Sequence, residues 1–278
     1  MSNSHSSTLF ASIKGRIAII TGASAGIGKA IAEDLASMGV HIVLNARRAE
    51  KLAELKADLT ARFGSTGAKF EVVAGDAADE GTIVRMLDVA RTALGGGTRE
   101  ANLIVVNAGR GLGGSVVESD RAQWDEMLRT NVLGAALLIR HSAKRMMADL
   151  ATDSTHGRTW QDQPRDIVVL GSTVGRHVSP FSSMYGGTKF AVHGMTEGVR
   201  RELAGKGIRV TLIEPGFVVS EFQGVAGYDP AWVQNFWDRV GPVLTPADVS
   251  RSVVFTVAQP AAVHVSDIML RPTRQDYP

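Results

Sequence analysis

The chain has 278 residues, 44% of them hydrophobic and 21% charged, which excludes disordered and fibrous classes. A net charge of +2, with no run of more than two basic residues, leaves no nucleic-acid footprint, and no apolar run approaches the length of a membrane span. Cysteine is absent, so disulfide scaffolds, thiolate nucleophiles and cysteine-ligated zinc are out. The one excess is glycine, 30 residues without a collagen period, which points to tight turns or close approaches of the backbone. The stretch before residue 13 is serine-rich and carries no apolar core of signal-peptide length. The expectation is a soluble, cytoplasmic protein with a flexible lead over 1–13 and a single domain over 14–278.

Arg16 to Ile20 reads as a short strand buried on both faces. A glycine-rich turn and a helix over 26–38 follow, closed by Gly39. The pattern then predicts a strand over 40–44, a helix over 49–63, a strand over 69–74, a helix over 80–94 and a strand over 103–106. Helices over 119–130 and 131–150 come next, then a strand over 166–170, a helix over 183–204 and a strand over 208–213. A helix over 246–258 and a strand over 264–270 complete the chain. This alternation implies an α/β fold: one doubly wound parallel sheet of Rossmann type with helices on both faces. Two segments break the rhythm. Residues 151–165 are polar and read as a surface excursion. The region 217–242 reads as long and irregular, and six of the chain's 16 aromatic residues fall in it. A loop of that length in a compact domain suggests a lid over substrate, against the plainer reading of core or subunit contact.

The first turn, Thr21-Gly22-Ala23-Ser24-Ala25-Gly26-Ile27-Gly28, joins a strand to a helix, where exposed N–H groups make an anion site. A phosphate loop of the Walker type fails, because Ala30 stands where Ser or Thr is required after Lys29. A nucleophile elbow fits Gly22-Ala23-Ser24-Ala25-Gly26 in spacing, but it lies on the first strand, and His264 is the only late histidine to serve it. A dinucleotide loop is the third reading. The residues beyond the second strand sharpen it: Asn45-Ala46-Arg47-Arg48 offers no acid before Glu50. A carboxylate there suits the ribose of NAD, whereas two guanidiniums suit the 2′-phosphate of NADP(H).

Tyr185 and Lys189 stand at i and i+4 on one predicted helix face. An ammonium beside a phenol lowers its pKa, so the pair can act as general acid or base on a carbonyl or alcohol. Ser172 follows the fifth strand, at the carboxyl edge where open α/β sheets bind ligands, and its hydroxyl can polarise a substrate oxygen. The seven histidines show no metal spacing. His177 as a pocket residue, and Arg110 and Arg271 as partners of a substrate carboxylate, are weaker candidates than polar or surface roles for the same residues.

Together these residues resemble the short-chain dehydrogenase/reductase family, from Lys14 to about Thr273. Asn131, Ser172, Tyr185 and Lys189 match its catalytic tetrad in order and spacing. Asn107-Ala108-Gly109 resembles its N-A-G motif, although Val106 replaces the preceding asparagine. The resemblance implies hydride transfer between an alcohol and a ketone or aldehyde. Tyr185 exchanges the proton, Lys189 lowers its pKa and holds the cofactor ribose, Ser172 orients the carbonyl, and Asn131 supports a water relay. It further implies cofactor contacts from Gly22, Ser24, Ala25, Gly26, Ile27, Gly28, Asn45, Arg47 and Arg48. Asp76 and Ala77 fall near the adenine, and Pro215, Gly216 and Val218 near the nicotinamide. A homodimer or homotetramer is the expected assembly, with a small-molecule substrate and neither nucleic acid nor membrane as partner. Stretches such as Gly171-Ser172-Thr173-Val174-Gly175 are similar to NADP-dependent dehydrogenases of serine and other 3-hydroxy acids. The aromatic 217–242 region points instead to a bulkier apolar or aromatic carbonyl. A catalytically silent NADP-binding regulator is the non-enzymatic alternative.

Overall fold

The computed structural model describes residues 10–178 and 182–277. Its strands are β1 (Ile17–Thr21), β2 (His41–Ala46), β3 (Phe70–Ala74), β4 (Leu103–Val106), β5 (Arg165–Leu170), β6 (Ile208–Pro215) and β7 (Asp267–Leu270). They form one parallel sheet in the order β3-β2-β1-β4-β5-β6-β7. Period-two alternation divides β1 to β6 between two cores. Ala18, Ile20, Leu103, Val105 and Val168 pack under α1 (Gly26–Ser37), α2 (Ala49–Phe63) and a late helix, Pro246–Val257. Ile17, Ile19, Ile104, Val106, Ile167 and Val169 face the other layer, led by α3 (Glu80–Val89). Both faces are covered, which is why these strands read as continuous apolar runs. The order reverses between β1 and β4, and a crevice opens there at the carboxyl edge.

Three expectations need correction. The described part of the predicted lead is anchored: Ile13 is buried, the Ala11 N–H bonds the Ala258 carbonyl at 2.7 Å, and Phe10 meets Phe255 edge-on. Residues 1–9 lie outside the described residues. The predicted helices over 119–130 and 131–150 are one helical run: α4 (Ala122–Leu128), a π-helical stretch (Arg129–Gly134) and α5 (Ala135–Thr155). The run passes residue 150 because its polar end satisfies a buried arginine. Arg165, the first residue of β5, donates to Asp149 at 2.5 Å and to Asp153 at 2.6 Å. The polar composition of 151–155 therefore marks a helix end facing a cation, and the excursion shrinks to 156–164.

The third correction concerns 217–242. It holds two helices after α6 (Ser183–Ala204), namely α7 (Phe222–Val225) and α8 (Pro230–Val240), and α9 (Pro246–Val257) follows. Asp229 accepts from the Ala231 N–H at 2.9 Å and Pro230 opens the first turn, a start signal that is present in the sequence. No described helix is long and apolar enough to cross a membrane.

Candidate active site

A cavity of about 640 Å³ runs along the carboxyl edge of the sheet. Thirteen of the sequence-predicted site residues line it: Gly22, Ala25, Gly26, Ile27, Asn107, Ala108, Gly109, Ser172, Tyr185, Lys189, Pro215, Gly216 and Val218. Four loops separated by many residues thus meet because parallel strands end together.

The glycine loop is shaped by Asn107. Its amide donates to the carbonyls of Thr21 (2.9 Å) and Gly22 (3.3 Å), while the Thr21 hydroxyl accepts from the N–H groups of Asn107 and Ala108 at 3.1 Å. A Cβ on Gly28 would collide with the Gly22 carbonyl, and one on Gly22 would come within 2.8 Å of the Asn107 amide. The loop delivers the start of α1 to the cavity wall. Ala25 supplies no side-chain cap, and the first turn carries no acid. Uncapped N–H groups at a helix start, with a loop that admits close approach, fit the diphosphate of a dinucleotide.

Ser24, Gly28, Asn45, Arg47, Arg48, Asp76, Ala77 and Asn131 do not line the cavity. Arg48 sits at its mouth, donating to Ser24 Oγ and to Glu221, each at 3.1 Å. Arg47 reaches Glu126 at 3.0 Å. Asn45 is fully buried, and its amide braces the Val73 and Gly75 carbonyls, so it supports the loop from beneath instead of facing a ligand. Asp76 takes the Ala78 N–H at 2.9 Å and Arg129 at 2.5 Å. Partial burial works to raise its pKa, but these two bonds hold it below the usual carboxylate value.

Tyr185 is buried, with its hydroxyl hydrogen-bonded to Ser172 and its ring 5.6 Å from that of Phe222. Ser172 Oγ also lies 3.4 Å from the Pro215 carbonyl. Lys189 Nζ donates to the Leu170 carbonyl at 2.8 Å and sits 5.9 Å from the Tyr185 ring centre. Burial pushes Lys189 down to about 8. Burial raises Tyr185, the nearby Tyr228 adds to the rise, and only the Ser172 bond opposes it.

Asn131 lies in the π-helical stretch and makes three bonds. Its Oδ1 accepts from the Arg110 N–H (2.9 Å), and its Nδ2 donates to the Arg110 carbonyl (2.9 Å) and to Thr188 Oγ1 (3.0 Å). Thr188 in turn donates to the Tyr185 carbonyl at 2.7 Å. Both amide protons are engaged, so the side chain acts as a brace between the β4 loop and α6. A relay through it is limited to what Oδ1 can still accept.

The far wall comes from the aromatic region 217–242; its stacking is what the sequence does not show. Tyr228, Trp232, Phe236 and Phe217 form a ladder with ring centres 5.7, 5.6 and 4.5 Å apart in that order. Arg239 lies over the Phe236 ring and makes no ion pair with a described residue. Arg110, considered for a substrate carboxylate, is instead tied to Glu126 and to Gln123 at 2.5 Å. His177 is exposed and absent from the wall. His264 bonds the Val210 backbone at 2.9 Å, while Ser24 faces Arg48, which disposes of a nucleophile elbow. No cluster among the described residues could hold a metal ion.

The sheet order and the glycine loop after its first strand define a Rossmann-type fold. Residues 16–229 match the family model of the short chain dehydrogenases, and the chain belongs to that family. It is 30% identical over 257 residues to an uncharacterized oxidoreductase of Staphylococcus aureus strain MW2, covering 92% of this chain and 97% of that one. It is 28% identical over 261 residues to the glycine betaine reductase of Emericella nidulans, covering 94% of this chain but spanning only 19% of that protein's length. The closed form of a serine dehydrogenase complexed with NADP+ superposes with a TM-score of 0.76 at 28% identity, covering 94% of this chain and 96% of that chain.

Proposed function

We propose that the protein is an NADP(H)-dependent reductase or dehydrogenase that interconverts an alcohol and a carbonyl, with Tyr185, Ser172 and Lys189 as its catalytic residues. The observation that carries this reading is the buried Tyr185 hydroxyl, hydrogen-bonded to Ser172 in the cavity that the glycine loop opens into. A bound nicotinamide supplies or takes the hydride. In reduction, Tyr185 donates its proton to the carbonyl oxygen and Ser172 hydrogen-bonds that oxygen as charge develops. Gly22, Ser24 and Ala25 to Gly28 hold the diphosphate, Arg47 and Arg48 the 2′-phosphate, and Asp76 and Ala77 the adenine end. Asn107 to Gly109, Pro215, Gly216 and Val218 shape the nicotinamide end, and Lys189 holds the ribose. Asn45 and Asn131 brace the loops. Residues 217–242 form the lid.

The aromatic ladder supports a substrate with an apolar or aromatic body, which stacks well on such rings. A small 3-hydroxy acid is the second reading, favoured by Arg239 at the cavity, which makes no ion pair with a described residue, and by the similarity to a serine dehydrogenase. Following nicotinamide absorbance with NADPH and NADH against aryl ketones, aryl aldehydes and short 3-oxo acids, and the reverse reaction with L-serine, separates the two. Turnover of aryl carbonyls with NADPH is expected. Inertness towards every carbonyl and alcohol, with NADPH bound, would favour a silent regulator.

The reduction rate has a signed pH dependence. Lys189 carries its charge below about 8 and loses it above. Tyr185 stays protonated across that range because its pKa is raised. The kcat/KM for reduction is therefore expected to fall as pH rises through about 8. A descending limb that begins only at the ordinary lysine value contradicts this assignment.

A further inference from the structure

Ser172 is carried by a loop with glycine at both ends, and one imidazole fills the space those glycines leave. A Cβ on Gly171 would lie 2.5 Å from Nε2 of His193, and a Cβ on Gly175 would overlap the same ring. His193 stands on α6, one turn beyond Lys189, and is largely buried. Its Nε2 accepts from the Ser172 backbone N–H at 3.3 Å. Its Nδ1 lies 3.6 Å from a carboxylate oxygen of Glu214. Glu214 is completely buried, and both its oxygens take hydrogen bonds from Arg176 at 2.6 Å. Arg176 also holds Asp267 of β7 at 2.8 Å. Glu214 directly precedes Pro215, whose carbonyl meets Ser172 Oγ.

We propose that His193 is a positioning residue: a neutral imidazole whose Nδ1–H faces Glu214 and whose Nε2 lone pair fixes the Ser172 backbone, and with it the Ser172 hydroxyl, against Tyr185. This rests on the reading of Tyr185 and Ser172 as catalytic. A histidine's tautomer is set by what its other nitrogen meets, and here a clamped carboxylate holds the proton on Nδ1. Through its two ring nitrogens His193 joins the Arg176–Glu214 pair to the backbone of the serine loop. The glycines are explained as well, since any side chain at 171 or 175 would evict the ring.

The arrangement gives the reaction an acid-sensitive element. A proton on Nε2 would point a donor at the Ser172 N–H, which is also a donor, and the loop would have to move. The groups facing the ring are Glu214 from β6, Arg176 from the loop after β5, Lys189 from α6 and, through Arg176, Asp267 from β7. Burial lowers the His193 pKa, Glu214 opposes the fall, and Lys189 and Arg176 add to it. Activity is therefore lost on the acid side of the ordinary imidazole range.

The test uses His193→Leu, which removes the acceptor, and His193→Gln, whose amide oxygen can take the place of Nε2 and does not titrate. In His193→Leu, kcat for reduction is expected to drop about tenfold to a hundredfold through misplacement of the hydroxyl, with KM and NADPH affinity by fluorescence titration little changed. His193→Gln is expected to restore most of kcat and to lose the acid limb of the pH profile. Wild-type kcat in His193→Leu, or an unchanged acid limb in His193→Gln, overturns the proposal. So does a loss of kcat matched by an equal loss of NADPH affinity in both variants, since that reports damage to the fold. Tyr185→Phe measured alongside separates the two levels: if it retains turnover, the catalytic reading fails; if it is dead while His193→Leu is fully active, only the role of His193 fails.

Discussion

Replacing Tyr185 by phenylalanine is expected to lower turnover by roughly 100- to 10,000-fold, the range that a positioned general acid supplies. The ring would keep its packing against Phe222, and the loss is confined to one hydroxyl and its bond to Ser172. Stability should change by only about 1 kcal/mol, the net worth of a typical internal hydrogen bond. NADPH affinity should be nearly unchanged, because the glycine loop and Arg48 do not touch the phenol. The informative measurement is therefore a pair: single-turnover reduction and NADPH titration on the same preparation. A variant that binds NADPH and still reduces its substrate at a comparable rate would remove Tyr185 from the chemistry. Such a result would also leave the raised pKa of Tyr185 as a consequence of burial and of the neighbouring Tyr228.

What was legible in the sequence is what is encoded over short distances. The glycine loop, the Tyr185–Lys189 spacing and the alternation of elements are all local patterns, and the structure brings them to one edge. Contacts made across the fold left no such trace. His193, Glu214 and Arg176 lie on different elements and meet only because β5 and β6 are neighbours in the sheet. Gly171 and Gly175 were visible as glycines, but the ring that requires them was not. The aromatic residues of 217–242 stand out as a group in the sequence, and Asp229-Pro230 is the one local signal there of a helix start. Asn45 shows the opposite failure. Its place beside the arginines suggested a ligand contact, and full burial under the loop turned it into a brace. The spacing of Tyr185 and Lys189 is local and legible, whereas the Leu170 carbonyl that takes one N–H of Lys189 comes from β5 and is not.

Reversing the charge at the cavity mouth, by Arg48→Glu, is expected to weaken NADPH binding about 10- to 150-fold, as loss of a charge-assisted hydrogen bond worth about 1.5–3 kcal/mol implies. NADH, which lacks the 2′-phosphate, should bind the variant about as well as it binds the native chain. Arg48 is already engaged, since Glu221 at the start of α7 accepts from it and also lies 3.6 Å from Lys51. Arg48, more than any other group, holds the Glu221 carboxyl below the usual carboxylate range. A 2′-phosphate must compete with that carboxylate. Glu221→Gln is therefore expected to tighten NADPH by up to about fivefold, because an exposed ion pair contributes at most about 1 kcal/mol. Both effects should shrink with added salt, whereas a steric effect would not. Arg47 is more exposed and pairs with Glu126, so Arg47→Asp should give a smaller loss in the same direction. Titrating both cofactors into all three variants at two ionic strengths decides the matter. Equal losses for NADPH and NADH in Arg48→Glu would mean that this end of the cavity does not read the phosphate, and the assignment of NADP(H) would fall with it.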